Sequence, residues 1–149
     1  MNRKKPLPLT YFLGAIILCI ALHFLVPMRQ LLVLHWRFIG IVPLLLGSVL
    51  NLMADQALKK HNTTVKPFVE SSALITTGVF RLTRNPMYLG MSLILLGIVL
   101  LLGSTTPFAV AIVLPFLFDR IFIEPEEAML KKSFGDQFTS YQSRVRRWI

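Results

Sequence analysis

Apolar residues run along this chain in long blocks with abrupt polar borders. No side chain is ionised at neutral pH from Pro6 to Met28, none from Phe38 to Ala54, and none across the 34 residues from Asn85 to Phe118. Unbroken apolar runs of about 18 residues or more match a bilayer, because ~20 residues rising ~1.5 Å each cover its ~30 Å hydrocarbon core. Backbone in hydrocarbon must satisfy its own hydrogen bonds, so these runs are expected to be helices. The 34-residue run is too long for one crossing. Its middle carries Gly103-Ser104-Thr105-Thr106-Pro107, a turn signal that splits it into two helices joined by a tight hairpin. Four transmembrane helices follow, over about 10–27, 31–54, 86–102 and 107–123. Gly40, Gly47, Gly90 and Gly97 include two seven-residue spacings, consistent with close helix packing.

The pattern changes after the last apolar block. Glu124-Pro125-Glu126-Glu127 reads as a second helix start, with proline at the first position and acids in the first turn. The alternative is one continuous helix kinked at Pro125. Lys131 and Lys132 suit the last turn, and Gly135 suits a C-terminal cap. A further amphipathic helix over 136–145 would put Phe138, Tyr141 and Val145 on one face. The end, Arg144-Val145-Arg146-Arg147-Trp148-Ile149, has the basic and aromatic character of an interfacial anchor. The fold class is therefore all-α, an integral membrane bundle of about four transmembrane helices with C-terminal amphipathic helices. One domain over 1–149 is expected, with a tail over 124–149.

Composition agrees and charge adds orientation. The 149 residues are 54% hydrophobic and only 15% charged, where a soluble domain carries about 25%. Of the sixteen basic residues, three precede the first span, five lie between Lys59 and Arg84, and six follow from Arg120 onward. Only Arg29 and Arg37 fall in the first short turn. By the positive-inside rule both termini and the 55–85 loop are expected in the cytoplasm, as in a multi-pass protein of a bacterial inner membrane. The net charge of +9 is then mainly a topology signal, with attraction to anionic membrane lipids second. Nucleic acid is a poor partner for basic residues that flank spans instead of forming one soluble face. Arg3-Lys4-Lys5 ahead of an apolar run resembles a signal peptide, but no small-x-small cleavage site follows, and a retained helix is expected. Cys19 alone allows no internal disulfide. His23, His35 and His61 lack metal-ligand spacing, so no metal is expected.

Two segments concentrate polar chemistry, 62–90 and 119–149. Asn85-Pro86 is a helix start, asparagine as cap and proline at the first position. Beside Arg81 and Arg84 this helix end favours an anion such as a carboxylate or phosphate. Tyr88 offers a hydroxyl or ring face, and Gly90 permits close approach of a helix or ligand. The acids of the tail need a positive partner, for which Arg81, Arg84, Arg120 or a cationic ligand qualify.

These residues carry a resemblance. Thr77-Gly78-Val79-Phe80-Arg81-x-x-Arg84-Asn85-Pro86-Met87-Tyr88-Leu89-Gly90 resembles the signature of the isoprenylcysteine carboxyl methyltransferase family, of which membrane phospholipid methyltransferases have a more distant version. Glu126-Glu127-x-x-Leu130-x-x-x-Phe134-Gly135-x-x-Phe138-x-x-Tyr141-x-x-x-Val145-x-Arg147-Trp148 resembles the C-terminal block of the same family, and Thr64-Val65-x-Pro67 fits the approach to the first motif. The likeness covers about 45–149. Asn85 stands where the eukaryotic enzymes have histidine, and those enzymes have more spans, which leaves the substrate open. The resemblance implies methyl transfer from S-adenosylmethionine to a lipophilic small molecule or lipid at the cytoplasmic face. It implies a cofactor site of Arg84, Asn85, Pro86, Tyr88, Gly90, Glu126, Glu127 and Tyr141. A carboxylate acceptor would be held by Arg144 or Arg120; an amine or thiol would need a glutamate such as Glu127 as proton acceptor. Competing expectations are a phosphatidylethanolamine N-methyltransferase, a nicotinamide-dependent enzyme like the sterol reductases, and a non-enzymatic membrane partner subunit.

Overall fold

The structure, a computed structural model, describes residues 7–26, 30, 34–60 and 73–149. The Arg3-Lys4-Lys5 triplet, the 27–29 turn, His61 and the Thr64-Val65-x-Pro67 motif lie outside them. Helix α1 spans Pro8–Leu25. A short helix α2, Leu34–Arg37, and one 3-10 turn lead into α3, Ile41–Lys60. Helix α4 spans Pro86–Leu102, α5 Thr106–Phe118 and α6 Glu124–Arg144. Pro8–Leu25, Trp36–Lys60 and Thr106–Arg144 are long and apolar enough to cross a membrane, and Pro86–Leu102 is a shorter apolar helix. The charge-free part of the longest stretch ends at Phe118.

Two expected boundaries shift. The second span does not stop at residue 54 but continues to Lys60. Beyond the apolar block its residues are good helix formers, and Asp55 pairs with Lys59 one turn on, at 2.6 Å. Hydrophobicity marks how much of a helix fits the bilayer, not where its backbone hydrogen bonds end. The second difference is at Pro125, where no new helix starts. The backbone passes from α5 to α6 through one π-helical segment, Asp119–Ile123. A widened turn immediately before a proline relieves the clash of its ring with the carbonyl four residues back. The continuous-helix alternative is the one adopted, with this widened turn ahead of Pro125.

The bundle is held by close contact of antiparallel α3 and α4. Gly40 faces Gly97: a Cβ on Gly40 would lie 2.5 Å from Gly97 O, and one on Gly97 would lie 2.6 Å from Gly40 O. Gly47 faces Gly90 in the same manner one heptad further along. Helix α1 packs on α5 and α4, and Phe12, Cys19, Leu95, Val99, Leu114, Phe118 and Phe122 form the core between them. At one end of the bundle α4 stops on Gly103, at φ +74, and α5 begins three residues later. There His23 Nδ1 lies 2.8 Å from Ser104 Oγ. The opposite end gathers the start of α1, the end of α3, the start of α4 and the acidic start of α6.

Candidate functional site

The start of α4 is where the polar chemistry collects, and the chain end is what it binds. Pro86 opens the helix as expected, yet Asn85 does not cap it with its side chain. Instead Asn85 Nδ2 donates to Arg147 O at 3.2 Å, and Thr83 Oγ1 donates to the same carbonyl at 2.9 Å. Arg84 N donates to Arg146 O at 3.0 Å, and Arg84 Nη1 donates to Val145 O at 2.6 Å and Gln142 O at 3.2 Å. Buried carbonyls at a helix end need donors. Here the Thr83-Arg84-Asn85 segment supplies them to the end of α6.

The tail reaches this place because α6 breaks. Gly135 takes φ +49 and ψ −120, a backbone conformation that favours glycine, and divides α6 into two arms. The second arm buries Phe138 and Tyr141, and Tyr141 OH donates to Phe80 O at 2.5 Å. Two of the three residues expected on one amphipathic face are thus buried in the fold, while Val145 is half-buried.

Charges close the assembly. Arg84 donates to Glu127 Oε1 through Nε at 3.0 Å and Nη2 at 2.9 Å. Both side chains are only 8% exposed, so neither charge tolerates loss of the other. Arg147 donates from Nη2 to Glu127 Oε2 at 2.7 Å and from Nη1 to Asp119 in the π segment at 3.2 Å. Glu127 and Asp119 therefore find their positive partners in Arg84 and Arg147, and Glu124 finds its own in Arg120.

Glu126 is placed differently. Its Oε2 accepts from Tyr88 OH at 3.1 Å, and Tyr88 stacks within an aromatic group with Phe118 and Phe122. Burial, reinforced by the Glu127 carboxylate and opposed by the Tyr88 hydrogen bond, holds the Glu126 carboxyl above the usual carboxylate range.

A cavity of about 710 Å³ opens beside these groups. Its polar walls include Arg84, Asn85, Tyr88, Glu126 and Glu127, and its aromatic walls Phe80, Phe138 and Tyr141. Its apolar mouth runs along Leu7, Leu9 and Phe12 of α1 and Leu52 and Leu58 of α3. Leu7, Leu9 and Leu52 are exposed, so this apolar lining reaches the surface of the bundle among the described residues.

The residues singled out from sequence separate into three groups. Arg84, Asn85, Pro86, Tyr88, Glu126, Glu127 and Tyr141 all line the cavity. Gly90 is buried in the α3–α4 contact, where it admits another helix. Arg120 is exposed and paired with Glu124 at 2.8 Å; Arg144 is exposed and bonded to Ser140. Both side chains are absent from the cavity walls. Arg147, which stands in the C-terminal motif block but not among the expected site residues, joins Glu127 and Asp119; an arginine in a basic segment reads as a lipid anchor. Asn51 and Asp55 of α3 also line the cavity. The signal for Asn51 was an amide inside an apolar span, invisible to a search for charges.

Comparison with known proteins places this arrangement. The sequence model of a family described as phospholipid methyltransferase matches residues 36–137. An uncharacterised protein of Haemophilus influenzae is 36% identical over 63 residues, which cover 42% of this chain and the whole of that protein.

Proposed function

The chain belongs to the phospholipid methyltransferase family, and from that premise we propose that it is a multi-pass membrane enzyme that methylates a lipophilic acceptor with S-adenosylmethionine, in the manner of isoprenylcysteine carboxyl methyltransferases. The observation that carries this reading is convergence. Two motif blocks some 40 residues apart meet in one cavity through Tyr88–Glu126 at 3.1 Å and Arg84–Glu127 at 2.9 Å, and apolar side chains of α1 and α3 line the rest of it. Its volume suits a small-molecule site, for which about 300–1,000 Å³ is usual. The charge bias of the sequence, fourteen of sixteen basic residues outside the turn that holds Arg29 and Arg37, supports a cytoplasmic placement of the motif-bearing end.

The residues fit the donor. Bound S-adenosylmethionine supplies an electrophilic methyl group on a sulfonium. Glu126 offers a carboxylate to a cation, and Phe80, Tyr88 and Tyr141 offer faces and edges to a base. Asn85 Nδ2 bonds the tail, and Arg84 bonds the tail and Glu127, so both hold the wall in place. Arg84 thus acts through Glu127, as a positioning residue. Methyl transfer to an aligned acceptor depends chiefly on orientation and exclusion of water; the apolar walls serve the second.

A second reading, an amine acceptor as in phospholipid N-methylation, is favoured by one observation. Neither Arg120 nor Arg144, the arginines expected to hold a carboxylate acceptor, reaches the cavity, whereas Glu126 and Asp55 line it. Glu126, with its raised affinity for a proton, suits proton acceptance from an amine.

Calorimetric titration of S-adenosylmethionine and its demethylated product into the full chain in nanodiscs tests the proposal. Saturable binding that Glu126→Gln weakens without loss of folding is the expected result. A folded sample that binds neither compound would sink it and return the nicotinamide and partner-subunit readings.

A further inference from the structure

Helix α3 presents a polar face to the cavity that the methyl-donor site does not use. Ser48, Asn51 and Asp55 all line it, and spacings of three and four residues put them on one side of a helix. Two of the three lie in the apolar run from Phe38 to Ala54, where polar side chains are costly and mark ligand paths.

Asn51 is the informative member. Its Oδ1 is buried and has no hydrogen-bond partner among the described residues. It packs on Gly90, and Gly47 O flanks the same point. A buried amide oxygen without a donor is destabilising by itself. The two ends of a carboxamide exchange places by a half-turn of the terminal torsion, at nearly constant shape. Such a half-turn would take Oδ1 off Gly90 and leave it free to accept a hydrogen bond. A hydrogen-bond donor in the cavity is what would favour it. The neighbours present the same polarity. Ser48 Oγ spends its proton on Leu44 O at 2.8 Å and keeps its lone pairs free. Asp55 is held by Lys59, whose side chain is 72% exposed, a pairing weak enough to exchange.

We propose that Ser48, Asn51 and Asp55 form the head-group subsite for the methyl acceptor, selecting a hydrogen-bond-donating head, ammonium or hydroxyl, over a carboxylate, and so deciding for the amine-type acceptor of the second reading over a carboxyl acceptor. The assignment rests on the cavity being a methyl-transfer site. Acyl chains leave through the mouth between α1 and α3, and the head group lies against α3, within the same cavity as Glu126.

The test uses the full chain in phosphatidylcholine nanodiscs with three probes of equal chain length, hexadecylamine, hexadecanol and palmitate. Wild type should bind the amine and the alcohol about tenfold tighter than palmitate. Asn51→Leu and Asp55→Asn should each weaken amine binding by about tenfold and leave S-adenosylmethionine affinity unchanged. Asn51→Leu should not melt earlier than wild type, since it removes an unpaired polar atom; a purely structural Asn51 would melt earlier and bind all probes as before. Preference for palmitate, or amine binding unchanged in both variants, overturns the subsite. If Asn51→Leu fails to fold, Asp55→Asn at the helix end decides alone. Wild type that binds the amine through these residues but no S-adenosylmethionine refutes the methyltransferase reading instead.

Discussion

Glu127 sits between two guanidiniums, and the wall of the cavity depends on all three groups. Substituting it by alanine leaves Arg84, 8% exposed, charged and unpaired, which is expected to cost about 3–5 kcal/mol of stability. Chemical unfolding in mixed micelles measures this. Arg147 is 31% exposed and can be partly rehydrated, so Arg147→Ala should cost less, about 1–3 kcal/mol. Glu126, one residue away, makes a pH-dependent contribution. Its folded affinity for protons is raised above the ordinary value of 4.5, so the folded state prefers it protonated. Its contribution to stability is full below 4.5 and is lost as pH rises through the higher folded value. The unliganded protein should therefore lose melting temperature across that window, and Glu126→Gln should flatten the profile. A cationic ligand reverses the preference, so its affinity should rise with pH over the same interval. The Asp119–Arg147 contact is the residue-scale fact that motif reading missed, because it joins side chains 28 positions apart through a bend that no local pattern encodes.

At the scale of elements, glycine positions do different work. Gly97→Ala puts a methyl against the Gly40 carbonyl and should destabilise by about 1–3 kcal/mol through overpacking. Gly14→Ala, with nothing within 4 Å of the added carbon, should leave the melting temperature unchanged or higher; equal losses in both variants would refute the packing role. Gly135 has open space around it but a positive φ of +49. Alanine there should strain the backbone by about 1–3 kcal/mol and release the arm that buries Phe138 and Tyr141. Proteolysis near the chain end would report that release. The seven-residue glycine spacing was readable in the sequence, since close helix contact needs small residues at a fixed period. The π segment was not, because Pro125 is equally compatible with a new start and with a widened turn.

For the whole molecule, the chain end is a structural member of the site. Residues 145–149 do not line the cavity, yet Val145, Arg146 and Arg147 supply carbonyls to Thr83, Arg84 and Asn85. Truncation after Arg144 is expected to abolish S-adenosylmethionine binding although every cavity-lining residue remains, and calorimetry beside a folding probe checks it. The sequence by itself determined the all-helical membrane architecture, the hairpin at Gly103, the paired glycines and the two motif blocks, because each is written in local period, charge-free length or residue type. The tertiary structure alone decided which arginine meets which acid, that Arg84 is consumed by Glu127 and the tail, that Arg120 and Arg144 stay at the surface, and that Asn51 faces the cavity. Those outcomes depend on the widened turn at 119–123, the break at Gly135 and the closeness of α3 to α4. Each is a three-dimensional compromise among distant backbone segments, and short-range electrostatics and packing act only after that compromise has set the distances.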